Sequence, residues 1–365
     1  MSKIGVAIIG CGGITLQNHL PGLALCPDVR VAAVCDANPE VLKRARELTK
    51  AETASENYQD ILRRDDVHAV IVATPNFLHA PIAIAAAQAG KHVFCEKPLA
   101  MNFAEGRRMY QAAESARVRH MTAFTYRFVP AMRYFKHLVD GGAVGTPYHF
   151  RSCRLQDWGQ RSVGWRQVAK LAGSGEIGDM LSHRIDFAHL LFGPMTQVMA
   201  RTRIFHPVRG GQPSDLEDWV VIVSDFASGA TGVLESSKIA TGQGESMYSQ
   251  DHVELNGSEG SLRYDTQRPH EILIAKKEGK SFTRVDIPRE FLVWPGSPRD
   301  PKQGDPLFVF RYDQNYEFID AIRNERPCFA SFFDGALVQG IIDAALRSEQ
   351  ERKWVDVSNL AGALK

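Results

Sequence analysis

The chain has 365 residues, 44% of them hydrophobic and 23% charged, with a formal net charge of +1. That length exceeds what one hydrophobic core usually serves, so two well-filled domains are expected. The near-neutral balance, with no run of Lys or Arg, excludes a nucleic-acid or anionic-membrane binder and favours small-molecule partners.

Met1-Ser2-Lys3 passes straight into an apolar strand too short for the apolar region and cleavage site of a signal peptide. No run of about eighteen apolar residues, the length needed to span a membrane, occurs along the chain. Six cysteines (Cys11, Cys26, Cys35, Cys95, Cys153, Cys328) are scattered without CxxC pairing, as free thiols of a reducing compartment would be. A cytoplasmic location is expected.

Over residues 1–125, short β-rich runs alternate with helical patterns: Gly5–Ile9, a helix after Gly13, Val29–Cys35, a helix from Asn38-Pro39, Ala69–Ala73, a helix from Pro81, His92–Cys95, and a helix capped by Asn102. That rhythm predicts parallel βαβ units, hence an α/β Rossmann domain. Over residues 126–365 the texture changes to period-2 runs at Tyr148–Leu155, Trp219–Phe226, Thr231–Ser236, Val253–Leu255 and Ser261–Tyr264. These predict an α+β domain with a large, open, mostly antiparallel sheet. Helices are expected at about Gly178–Leu191, Tyr316–Arg323 and Phe333–Arg347, and long loops at 205–216 and 287–308.

Strand Gly5–Ile9 leads into Gly10-Cys11-Gly12-Gly13-Ile14-Thr15, with Gly at two fingerprint positions and Thr15 at the third. Gly10, Gly12 and Gly13 allow a tight turn and close backbone approach, and the following helix offers unpaired N–H groups to a pyrophosphate. Asp36, about 20 residues on at the end of the second strand, can hold ribose hydroxyls. No Arg stands beside it, so a 2′-phosphate would meet uncompensated repulsion and NAD is favoured over NADP.

Two further signatures lie just past strand ends, where open parallel sheets bind ligands: Ala73-Thr74-Pro75-Asn76-Phe77-Leu78-His79 and Cys95-Glu96-Lys97-Pro98-Leu99. A residue before proline is held extended, which directs Lys97 toward the crevice. In the second half, Gly173-Ser174-Gly175-Glu176-Ile177-Gly178-Asp179 opens a helix on which Asp179 and His183 share one face. A structural ion pair is the ordinary account of two such residues alone; the Gly-rich approach and the Lys97 motif favour a site. Asp186 is either a partner of His183 or a plain helix-face carboxylate. His189 falls on the other side of the helix and no third ligand is evident, so no metal is expected.

These motifs, with Arg127-Phe128 before Pro130, Gly164-Trp165-Arg166, Glu217-Asp218-Trp219 and the run from Asn256 to Ser261, resemble the glucose–fructose oxidoreductase/inositol dehydrogenase (Gfo/Idh/MocA) family. The resemblance covers nearly the whole chain. It implies a Rossmann domain carrying NAD(P), a second domain whose open sheet joins chains into a homodimer or homotetramer, and an active site between the two. It further implies that Ile14, Thr74, Pro75, Asn76, His79 and Glu96 border the cofactor, as do Trp165 and Arg166. Lys97 would approach both nicotinamide and substrate, while Asp179 and His183 would handle substrate binding and proton transfer.

The chemistry fits those residue types. Oxidising a secondary alcohol needs a base for the hydroxyl proton, and His titrates nearest neutrality. Lys97 can stabilise the developing alkoxide, and Asp179 can orient base and substrate. Tyr126, Arg154 and Trp158 are candidate cleft residues, since aromatic faces and planar donors suit sugar rings, although each alone could equally serve packing. The expected activity is NAD-dependent hydride transfer on a secondary alcohol or ketone of a sugar, cyclitol or glycoside. The alternatives are an NAD-retaining glycosidase of the same fold, acting by transient oxidation, and a non-enzymatic sugar sensor. A sensor has no need of the complete Lys97, Asp179 and His183 set.

Overall fold

The structure, a computed structural model, describes residues 3–279 and 281–365. Uninterrupted Val, Ile and Ala runs are what strands buried on both faces require. Ile4–Ile9 (β1), Val29–Cys35 (β2), Thr53–Ser55 (β3), Ala69–Val72 (β4), His92–Cys95 (β5) and His120–Thr122 (β6) form a parallel sheet in the order β3-β2-β1-β4-β5-β6. Strand order reverses between β1 and β4, so the crevice outside their carboxyl ends is the place for a ligand.

Leu20–Ala24 (α1), Pro39–Thr49 (α2), Tyr58–Leu62 (α3), His79–Gln88 (α4) and Phe103–Ser115 (α5) connect these strands. Asn38 Oδ1 accepts the N–H groups of Glu40 and Val41, and Asn102 Oδ1 that of Glu105, so both expected caps form. The helix expected from Pro81 begins at His79, because a 3₁₀ turn over Asn76–Leu78 runs directly into it. The helix after Gly13 opens instead as a wide π turn over Thr15–His19. Thr15, standing where a third glycine was absent, donates its hydroxyl back to the Gly10 carbonyl at 2.7 Å.

After Pro130–Asp140 (α6) the chain builds a second sheet from Pro147–Leu155 (β7) and Met195–Arg203 (β8). A short hairpin, Val208–Arg209 (β9) with Gln212–Pro213 (β10), stands inside the segment expected to be loop. Trp219–Phe226 (β11), Thr231–Ser237 (β12), Gln250–Gly257 (β13), Gly260–Asp265 (β14), Glu271–Lys276 (β15) and Thr283–Asp286 (β16) follow, and Val355–Asp356 (β17) closes one edge. The nine-stranded order is β16-β15-β14-β13-β7-β12-β11-β8-β17, antiparallel throughout except where β7 and β12 run parallel.

Ala169–Ala172 (α7), Ser182–Phe192 (α8), Asp313–Arg323 (α9), Phe332–Glu351 (α10) and Leu360–Leu364 (α11) complete the chain. Phe150, Ser152 and Arg154 of β7 and Val220, Ile222 and Phe226 of β11 point inward, on the face covered by α8 and α10. α9 lies against α1, and α10 against α5 and β6, so the end of the chain returns to the first sheet. The elements not foreseen include α6, β8, β15 and β16. In β8 the buried residues Met195, Val198 and Ala200 are unevenly spaced across a register shift, and apolar Met199 faces outward, which blurs the period-2 alternation. Among the described residues no helix is long and apolar enough to cross a membrane.

Candidate active site

A cleft of about 470 Å³ opens at the carboxyl ends of β1, β2, β4 and β5. Gly10 has φ +93°, and a side chain there would strike the Ala73 carbonyl, so only glycine fits this turn. A Cβ at Gly12 or Gly13 would meet nothing, which leaves their backbone open to the cleft. Asp36 accepts the Cys11 N–H through Oδ2 at 2.8 Å and the Asn38 N–H through Oδ1 at 2.9 Å, and this fixes its carboxylate at the cleft edge. An open glycine turn with a carboxylate set at the end of β2 fits a pyrophosphate and a ribose diol.

The other expected cofactor residues border the same cleft: Ile14, Thr74, Pro75, Asn76, His79, Glu96, Lys97, Trp165 and Arg166. Several are already engaged. Asn76 donates its amide to the Ala172 carbonyl at 2.8 Å, tying the β4 loop to the second domain. His79 is fully buried, its ring nitrogens 3.0 Å from the carbonyls of Thr74 and Pro98, so it binds two cleft loops to each other. Glu96 meets His19 Nε2 at 2.9 Å. Sequence reasoning did not single out His19, which lies within the π turn.

A second cleft of about 380 Å³ adjoins the first through Ile14, Glu96, Lys97, Arg166 and Asp179. It holds His183 and the three expected substrate residues, Tyr126, Arg154 and Trp158. Lys97, across a cis peptide bond to Pro98, reaches over and donates to the Asp179 carbonyl at 2.5 Å and to Asp179 Oδ1 at 2.9 Å. The π turn over Ile177–Leu181 presents that carbonyl, since the wider turn leaves backbone oxygens outside the regular ladder. Burial alone would raise Asp179; Lys97, Arg166 and Lys238 overcome it and hold the carboxyl well below the ordinary range.

His183 is 2% exposed, with its ring 4.5 Å from that of Tyr126 and its Nδ1 lacking a hydrogen-bond partner. Burial and then the charges of Lys97, Arg184, Arg154 and Arg311 depress its pKa well below that of free imidazole, so the ring is neutral at physiological pH. Asp179 faces Lys97, and the carboxylate orients that ammonium rather than the imidazole. Asp186, weighed as a partner of His183, instead takes the guanidinium of Arg127 at 2.6–3.1 Å.

Four residues that no sequence motif marked also belong here. Lys238, just past β12, stands 3.5 Å from Glu176 Oε2, and Ser236 donates to Glu176 Oε1 at 2.5 Å. Burial, with Asp179 adding to it, pushes Glu176 up to about 7. Arg311 and Gln314 arrive from the start of α9 to close the second cleft.

The family description "Oxidoreductase family, NAD-binding Rossmann fold" matches residues 4–124, and "GFO/IDH/MocA C-terminal domain" matches residues 132–263. Levoglucosan dehydrogenase of Pseudarthrobacter phenanthrenivorans is 32% identical, over 99% of this chain and 100% of that protein. Myo-inositol 2-dehydrogenase of Thermotoga maritima is 27% identical, over 98% of this chain and 99% of its own. Among solved structures, levoglucosan dehydrogenase in complex with NADH and levoglucosan superposes with a TM-score of 0.89 at 33% identity, covering 98% of this chain and 100% of that one.

Proposed function

The chain belongs to the Gfo/Idh/MocA family of NAD-dependent oxidoreductases acting on CH–OH groups, and on that footing we propose that it oxidises a secondary ring alcohol of a sugar, cyclitol or glycoside through Lys97, Asp179 and His183. The observation that carries this reading is the Lys97–Asp179 pair beside a neutral, buried imidazole at the junction of the two clefts. When bound, NAD supplies the hydride acceptor.

Lys97 spends two of its three N–H donors on Asp179 and has one left for a substrate oxygen. That donor, carrying full charge in a half-buried site, stabilises the oxygen as its negative charge grows. His183 takes the hydroxyl proton, which burial and neighbouring cations have kept off the ring beforehand. Asp179 fixes the ammonium and offers its second oxygen to a neighbouring ring hydroxyl. The substrates for which the two relatives are named, levoglucosan and myo-inositol, support a polyhydroxylated ring as substrate.

The reading extends to assembly and location. Met199, Val223 and Val233 form an apolar row across β8, β11 and β12 on the uncovered sheet face, which supports pairing into a homodimer or homotetramer through that sheet. Burial pushes the thiols of Cys11, Cys26 and Cys35 up to about 12, which suits structural thiols of a cytoplasmic protein. The test of activity is a nicotinamide absorbance screen over cyclitols, sugars, anhydrosugars and glycosides, with Lys97→Ala as control. Stoichiometric reduction of NAD above that control is expected. Free sugar released without net reduction would point instead to the NAD-retaining glycosidase.

A further inference from the structure

We propose that the ring substrate carries a carboxylate and that Arg311 receives it. This rests on the reading of the second cleft as the substrate site and adds the substrate's charge.

The acids bordering that cleft are already matched. Asp179 is held by Lys97 at 2.9 Å, Glu245 by Arg161 at 2.7 Å and Glu96 by His19 at 2.9 Å. Arg154, which borders the cleft, and Arg184 behind it share the single carboxylate of Asp251. Arg166 and Arg311 meet no carboxylate among the described residues. Arg166 borders the cofactor cleft as well, so the cofactor's negative charge is available to it.

Arg311 borders the substrate cleft alone. It sits on the 3₁₀ turn Val309–Tyr312, anchored by buried Phe310, with its guanidinium 5.0 Å over the Phe308 ring. Its Nε is buried and has no hydrogen-bond partner among the described residues. Gln314, 1% exposed and on the next turn, borders the same cleft with its amide oxygen also unpartnered. A guanidinium keeps its charge at any accessible pH, so leaving one half-buried and unpaired is costly unless a ligand completes it.

A neutral ring supplies no such completion. Arg311 is a cleft cation with no carboxylate partner among the described residues, which calls for a negative charge on the ligand, and the planar fork of Arg matches a carboxylate bidentately. Gln314 can accept a ring hydroxyl or, with its amide turned over, donate to the same carboxylate. The structure therefore assigns Arg311 as the specificity residue for a uronic acid.

The experiment uses the full-length, NADH-saturated protein in thermal-shift titrations with D-glucuronate and D-galacturonate. D-glucose, D-galactose and myo-inositol serve as neutral counterparts, and glucose 6-phosphate as the phosphate-bearing one. NAD reduction is followed on the same panel. At least one carboxylate is expected to stabilise the protein and to exceed its neutral parent in kcat/KM by about tenfold or more. Arg311→Gln should collapse that ratio by about tenfold, and Arg311→Lys should restore part of it.

Neutral rings that bind and react as well as the acids would overturn the proposal. So would stabilisation by the phosphate ester alone, by no carboxylate at all, or an Arg311→Gln loss equal for acids and neutral rings. Turnover of neutral rings without acid preference leaves the dehydrogenase reading intact while removing this one. A carboxylate bound through Arg311 without NAD reduction does the reverse.

Discussion

One helical segment carries two carboxylates with opposite fates. Asp179, in the π turn, stands at the cleft with a quarter of its side chain exposed, and one of its oxygens is taken by Lys97. Asp186, two turns beyond Asp179 and within α8, is 1% exposed and takes three contacts from Arg127, whose Nη2 continues to Asp334 at 3.0 Å in the first turn of α10. Burial pushes Asp186 up to about 6 against the pull of Arg127, whereas the cations around Asp179 hold it well below its ordinary range. Both are acid–base pairs on the same helix. The first keeps hydrogen-bonding capacity beside a cavity, which is what a ligand needs; the second spends all of it joining three elements.

Lys97→Ala and Arg127→Ala should break the two pairs in opposite ways. Steady-state kinetics on Lys97→Ala should show kcat/KM reduced roughly 10³-fold. Its thermal midpoint should stay close to that of the parent, since a part-exposed ion pair contributes little to stability. For Arg127→Ala, chemical denaturation should show a loss of about 3–5 kcal/mol, because buried Asp186 loses its partner and half-buried Asp334 loses one of its contacts. Activity per folded molecule should persist. An Arg127→Ala protein as stable as its parent would erase the contrast.

Asp36→Ser probes the cofactor end, where the carboxylate is set by backbone N–H groups. KM for NAD should rise about tenfold, and discrimination against NADP should shrink as the repulsion is removed.

The smallest effect is in the pH profile. In the proposed reaction the neutral imidazole is the competent base, and burial with four neighbouring cations disfavours its protonation. As pH falls, the base should therefore survive below the ordinary imidazole pKa of about 6.5. The acid limb of kcat/KM should be centred under that value. A limb centred above it, coming from the free enzyme, would remove His183 from the role of base.

Much of this was legible in the chain. β2, β5 and β11 have the bounds that their residue patterns predict, and the Asn38 and Asn102 caps form where expected, because these are local matters of alternation and turn chemistry. Lys97 was legible from its place between a strand end and a proline. What was hidden depends on distant pairing. Nothing local distinguishes Asp186 from Asp179, since their difference lies in Arg127 and Lys97, each more than 50 residues away. Arg311 stands in a segment with no motif and enters the cleft only because α9 folds back against α1. Its meaning comes from the carboxylates it does not meet.

Label transfer tests the Lys97–Asp179–His183 centre most directly. A ring alcohol found active in the screen is prepared with deuterium on the reacting carbon, and the cofactor is isolated by mass after turnover. The wild-type protein should place one deuterium on nicotinamide for each molecule oxidised, and Lys97→Ala should do so roughly 10³-fold more slowly. Product formed with unlabelled cofactor, or equal labelling by the variant, would contradict the assignment.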